Sequence, residues 1–314
     1  MTCVNTAWYG PRALRGVALA SLIANVGILI TGGAVRLTGS GLGCPTWPRC
    51  TAESYVPNGA MGIHGVIEFT NRTFTSVVSV LAVAGLAIAV LQKPRRTRVI
   101  RLATLVLLGI PAQIVLGGIT VRTHLNPWAV ASHFLLSIAI IAAAYAFWRS
   151  TAETDDPARP TVERPLRVLA GALLVVAGVA ISLGTVVTGS GPHAGDENAR
   201  RTGLDPAAVT QLHADAVFVL IGLAVATWFA FRAAGARHQA TTAAWLIGVL
   251  LAQGLVGYAQ YATGLPAALV GVHLAGAAAV WIAALSVWYS TRTRAVVPEG
   301  VGDEVGALPA RAGG

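Results

Sequence analysis

Apolar residues gather in eight long runs separated by polar connections. The runs cover roughly residues 16–36, 66–91, 100–121, 128–148, 166–187, 211–232, 241–262 and 267–289. About 20 mostly apolar residues let an α-helix cross a bilayer, so each run predicts a membrane-spanning helix. The first run is long enough to stay in the bilayer, and no cleavable signal peptide is expected. Two connections are long, 37–65 and 188–210, and they open on the same element, Thr38-Gly39-Ser40-Gly41 and Thr188-Gly189-Ser190-Gly191. Long ordered loops tend to be functional, so these two are expected to cap whatever the helices hold.

The pattern also repeats. Ala112-Gln113, Gly117 and His133 recur at unchanged spacing as Ala252-Gln253, Gly257 and His273. A duplication in an apolar chain predicts two similar bundles joined head to tail. Residues 150–165 hold Glu153, Asp155, Asp156, Pro157, Pro160 and Glu163, a polar, proline-broken stretch that reads as the link between halves. The expected fold is an all-α membrane protein of two pseudo-symmetric four-helix bundles, residues 1–149 and 166–291. With an even number of helices in each half, the repeat is parallel, about an axis along the membrane normal. Residues 292–314, rich in Gly, Ala and Pro, are expected to form a disordered cytoplasmic tail.

Composition sharpens this picture. Of 314 residues, 55% are hydrophobic and 11% charged, against roughly 25% charged in soluble domains. A net charge of +9 invites a nucleic-acid partner, but its distribution rejects one. Lys and Arg cluster in alternate connections: Arg12 and Arg15; Lys93 to Arg101; Arg149 to Arg167; Arg232 and Arg237; Arg292 and Arg294. That bias predicts a multi-pass protein of the cell membrane with both termini cytoplasmic. An oligomer in the bilayer is compatible with it. The same topology places Cys44 and Cys50 outside, in a short loop stiffened by Pro45 and Pro48. An oxidising compartment favours a disulfide there, two inert thiols being the alternative. Cys3 is left over on the cytoplasmic side, and no second pair of soft ligands suggests zinc.

Seven histidines occur, of which His124, His193 and His238 fall in connections. His64, His133, His213 and His273 stand at or just inside the outer ends of helices two, four, six and eight. Ionisable residues in membrane helices are costly and face the bundle interior, which makes them functional candidates. Histidines on facing helices of a bundle are also a way to hold haem iron. His213 and His273 come at one depth and offer both axial ligands of a low-spin haem. In the first half His133 aligns with His273, but the depth equivalent of His213 is Asn71, and His64 lies two turns, about 10 Å, further out. Either His64 reaches down, or this half holds its haem with one ligand and an open side. Glu68 shares a helical face with His64 and Asn71, beside Arg72. It is either an ion-pair partner or an acid–base group, and its place on the ligand face favours chemistry.

These residues resemble the haem A synthase family, membrane enzymes that convert haem O to haem A for cytochrome oxidase. The resemblance rests on Gly32-Gly33-Ala34-Val35-Arg36-Leu37-Thr38-Gly39-Ser40-Gly41-Leu42-Gly43-Cys44-Pro45, Glu68-Phe69-Thr70-Asn71-Arg72 and Gly117-Gly118-Ile119-Thr120-Val121-Arg122. It continues through Val187 to Asp196, Gln211-Leu212-His213-Ala214-Asp215 and Val272-His273-Leu274. It implies a cofactor haem b between His213 and His273. The substrate haem O would sit in the first half, on His133, with Glu68 as catalytic residue. The family's Glu-x-x-His-Arg motif reads Glu68-x-x-Asn71-Arg72 here, which makes His64 the substitute ligand. The family's cysteine pair looks like Cys44 and Cys50. Implied partners are haem O synthase and cytochrome oxidase assembly factors.

Two rivals come from other classes. A di-haem cytochrome b that only relays electrons predicts four equivalent histidines, which Asn71 spoils. A secondary transporter would want charged residues near the midplane, and these helices are uncharged through their middles. Arg36, Arg72 and Arg122 are candidates for haem propionates or for simple topology anchors. The glycine pairs 32–33 and 117–118 read first as close helix packing.

Overall fold

The computed structural model describes residues 10–297; Cys3 and the tail beyond residue 297 lie outside the described residues. Eight helices among the described residues are long and apolar enough to cross a membrane, and the chain is a multi-pass membrane protein. They are α1 (Pro11–Leu37), α2 (Gly62–Leu91), α3 (Thr97–Arg122), α4 (Pro127–Ser150), α5 (Arg164–Ser190), α6 (Pro206–Ala233), α7 (Arg237–Ala262) and α8 (Ala267–Ser290). Several outrun their apolar cores. α6 begins at Pro206, where Asp205 accepts from the backbone N–H groups of Ala207 and Ala208. α4 begins at Pro127, with Asn126 capping Trp128 and Ala129 in the same way. A side-chain cap followed by proline fixes a helix start whatever the hydropathy of the first turn.

Helices α1 to α4 close around Leu14, Leu22, Val78, Val106, Ile141 and Phe147. Helices α5 to α8 close around Leu173, Leu220, Phe231, Leu246 and Val287. Where the groups meet, α1 and α4 lie against α8, and α4 also against α5. Gly33 permits the closest approach, since a Cβ there would fall 2.9 Å from Leu274. Trp281 Nε1 donates to the Ile138 carbonyl at 3.0 Å and Tyr145 Oη to Ser286 Oγ at 3.1 Å. The α3–α4 and α7–α8 turns share one backbone form. Leu125 and Leu265 both take positive φ, and their N–H groups reach back to Thr120 and Gln260.

At the end that carries most of the arginines, the chain closes on itself. A short strand β1 (Arg159–Pro160) pairs antiparallel with β2 (Arg292–Thr293). Beyond it, Thr154 N donates to Ala295 O at 2.8 Å and Val297 N to Ala152 O at 3.1 Å. The expectation of a disordered tail from residue 292 is therefore corrected for 292–297. Open backbone groups of the linker pair with these residues, an outcome composition does not register. Glu153 gathers the clasp, 2.5 Å from Arg98, 3.5 Å from Arg149 and 3.9 Å from Arg294. Glu153→Gln should remove the charge that holds three guanidinium groups together and lower unfolding stability by about 1–3 kcal/mol. A thermal melt of the detergent-solubilised protein measures it, and an unchanged midpoint would show the clasp to be idle.

Candidate functional site

Three of the four candidate histidines have one local environment. His133 on α4 faces Gly117 on α3, His213 on α6 faces Gly184 on α5, and His273 on α8 faces Gly257 on α7. In each case a Cβ on the glycine would lie 3.2 Å from the ring's Cε1. The missing side chain admits an imidazole between two close helices. Two glutamines complete the pattern: Gln113 Nε2 donates to His133 O at 3.1 Å, and Gln253 Nε2 to His273 O at 2.8 Å. They brace the helix at the histidine, not the ring. The fourth position is held by Asn71, which accepts from the Thr31 hydroxyl at 2.7 Å and lies 4.0 Å from a Cβ built on Gly32.

His213 and His273 come together, their ring centroids 6.4 Å apart and their planes at 82°. Imidazole–metal bonds run about 2.0 Å and a ring centroid lies about 1.1 Å behind its nitrogen, so two rings on opposite sides of one metal sit about 6.3 Å apart. His213 Nδ1 lies 2.9 Å from the Ala180 carbonyl. A carbonyl only accepts, so Nδ1 carries the proton and Nε2 is left as the basic nitrogen. His273 Nδ1 and His133 Nδ1 are buried without a hydrogen-bond partner among the described residues. No group of three or more His, Cys, Asp or Glu converges among the described residues. A pair of imidazoles so placed fits a metal that brings its other donors with it, as haem iron does.

The second cluster lies at the same end of α2. His64 is exposed, its Nδ1 2.9 Å from Ser40 Oγ, and no ring contact joins it to His133 among the described residues. Glu68 is buried, with both oxygens engaged. Oε2 accepts from the backbone N–H of Cys44 at 2.6 Å, and Oε1 accepts from Arg72 Nε at 3.0 Å and Nη2 at 2.5 Å. Arg72 goes on to the carbonyls of Cys44 at 2.9 Å and Thr46 at 3.1 Å. Cys44 and Cys50 form a disulfide and are both buried. Glu68 and Arg72 thus strap the disulfide loop onto α2, and Trp47 of that loop covers Gly118.

The other arginines divide. Arg36 donates to His193 O at 2.6 Å and Thr188 O at 2.8 Å, tying the end of α1 to the end of α5 and the loop that follows it. Arg122 lies over Trp47 at 5.6 Å. Gly33, Gly117 and Gly118 all serve close packing. The glycine opposite His213 had no counterpart in the Gln-Gly-His spacing. Gly184, twenty-nine residues before His213, is visible only once α5 and α6 are side by side.

The fold and site define an eight-helix membrane protein with one imidazole pair, His213 and His273, and a third histidine, His133, in a like setting between its helices. Residues 15–195, more than half of the chain, match the model of the cytochrome oxidase assembly protein family COX15-CtaA. The chain belongs to that family. It is 32% identical over 129 residues to a Heme A synthase of Bacillus licheniformis, covering 40% of this chain and 41% of the relative. A Heme A synthase of Geobacillus kaustophilus is 30% identical over 121 residues, 38% of this chain and 36% of its own. A Protoheme IX farnesyltransferase of Halobacterium salinarum is 28% identical over 131 residues, 41% of this chain and 29% of the relative. The matched segments thus span well under half of these relatives. The family match includes Cys44, Cys50, His64, Glu68 and His133 and stops before His213 and His273.

Proposed function

We propose that this protein is a haem A synthase, oxidising a methyl group of haem O to the formyl group of haem A. The observation that carries the reading is the His213–His273 pair at 6.4 Å, with a third histidine, His133, in the same glycine-backed setting. Family membership and the two relatives named Heme A synthase support it. The two helix groups are read as parallel repeats with both termini in the cytoplasm, residues 1–149 as the substrate half and 166–291 as the haem b half. Bound between His213 and His273, haem b would supply one-electron transfer. Ala180 O fixes the tautomer of His213, while Gly184 and Gly257 leave room for the two rings.

In the first half, His133 is assigned to the iron of the substrate haem. His64 is its proposed partner, since the Ser40 contact uses Nδ1 and leaves Nε2. Glu68 is assigned as the acid–base group. Taking a methyl to a formyl group is a four-electron oxidation that removes hydrogen from the carbon, so a carboxylate beside it has protons to accept. The disulfide loop, held by Glu68 and Arg72, would exclude water above this half. Similarity to a protein named for farnesyl transfer to protohaem supports haem O synthase as a neighbour in the same series, with cytochrome oxidase assembly factors as recipients.

The test is the haem content of cells with and without the gene. Extracted haems separated by chromatography should include haem A only when the gene is present, with haem O accumulating in its absence. Haem A in the deletion strain would remove the assignment. Unchanged haem O and haem A beside a lost di-haem spectrum would favour an electron-relaying cytochrome b.

A further inference from the structure

A groove of about 290 Å³ lies between the start of α5 and the end of α8, with none of the candidate histidines in its lining. Arg164, Arg167, Val168, Gly171 and Trp288 line it. Its floor is apolar, and Val168, 62% exposed, faces outward on a helix that spans the membrane. Its rim is cationic. Arg292 adds a third guanidinium, 5.2 Å over the Trp288 ring and 4.4 Å over Tyr289.

The acids at this end of the molecule do not answer these charges. Glu153 is taken by Arg98, Arg149 and Arg294. Asp155 accepts from the Arg98 backbone N–H and Asp156 from the Thr154 hydroxyl. Glu163, one position before Arg164, forms no ion pair with it or with Arg167 among the described residues. A guanidinium is matched best by a paired-oxygen anion.

We propose that this groove holds the headgroup phosphate of an anionic phospholipid, its acyl chain lying along Val168, Gly171 and Trp288. Phosphate oxygens would accept from the guanidinium groups of Arg164 and Arg167 that line the groove, with Arg292 as a third cation beside Trp288. A zwitterionic headgroup would bring its own cation against Arg164 and Arg292. The apolar floor, open toward the hydrocarbon, selects a lipid over a free phosphate ion, in keeping with basic pockets at helix ends that take lipid headgroups.

Native mass spectrometry of the full-length protein in mixed phosphatidylglycerol and phosphatidylcholine tests this. One phosphatidylglycerol should survive activation that strips phosphatidylcholine. Arg164→Gln with Arg167→Gln should cut that retention about tenfold. Lys93→Gln with Arg95→Gln, the same charge change at an exposed connection, should leave it unchanged. Equal loss in both double variants would mean diffuse attraction and overturn the site, as would equal retention of the two lipids. Full displacement by millimolar inorganic phosphate would overturn the lipid assignment. If the double variant does not accumulate, Arg164→Gln alone, at an exposed position, must still lower retention; no change overturns the proposal.

Discussion

Replacing either His213 or His273 by alanine is expected to abolish the low-spin haem spectrum of the purified protein. The rings stand at the separation that two ligands of one iron require, 6.4 Å between centroids. Loss of one leaves an iron with a vacant side and removes much of the binding free energy. The protein should still reach the membrane, because among the described residues the His213 ring makes one hydrogen bond and the His273 Nδ1 makes none. Haem bound only to the native state adds to stability by mass action, so the variants should also melt earlier than the wild type. Gly184→Val gives a second approach to the same point. It keeps both histidines yet pushes branched carbon toward a ring that already lies 3.2 Å from a modest Cβ, and it should perturb the spectrum. His133→Ala is the control, since that residue belongs to the other helix group and should leave the haem b spectrum intact. Unchanged spectra in both His213→Ala and His273→Ala would remove the ligand assignment. Loss of the same spectrum in His133→Ala would mean the two groups are not independent sites.

Much of this arrangement is legible in the chain, because lipid imposes simple rules. Apolar runs of spanning length announce eight helices, and the Gln-to-His spacing puts His133 and His273 in equivalent places. The structure adds what the spacing does not show, that both glutamines bond to the histidine backbones. Helix ends are less legible from apolar content, although Asn126-Pro127 and Asp205-Pro206 carry the start signal plainly. The two Thr-Gly-Ser-Gly elements look alike yet part ways: α5 runs through Ser190, whereas α1 ends at Leu37 and Gly39 takes positive φ. What the sequence conceals is contact across distance. The clasp of the linker by residues 292–297 joins strands of two residues each, too short to leave a periodic signal. The partner of Glu68 that matters most is a backbone N–H, that of Cys44, and a backbone group has no letter in the sequence.

That hidden partner changes what Glu68→Gln is expected to do. The substitution keeps the shape of the side chain and one carbonyl oxygen. Its amide must point two N–H donors at either the Cys44 N–H or the Arg72 guanidinium, both themselves donors. The clash should loosen the loop somewhat, at about 1–3 kcal/mol for a buried donor left unpaired. As an acid–base group, Glu68 should contribute 10²–10⁴-fold to turnover, so haem A should fall below detection while haem b stays at the wild-type level. Two readouts on the same cells separate chemistry from strapping: extracted haem A, and tryptic cleavage after Arg49, an exposed residue inside the disulfide loop. Lost haem A with Arg49 still protected assigns Glu68 to the chemistry. Lost haem A with rapid cleavage at Arg49, matched by Arg72→Gln, makes the pair a strap and returns the acid–base role to another group. Wild-type haem A in Glu68→Gln cells would end the catalytic assignment outright.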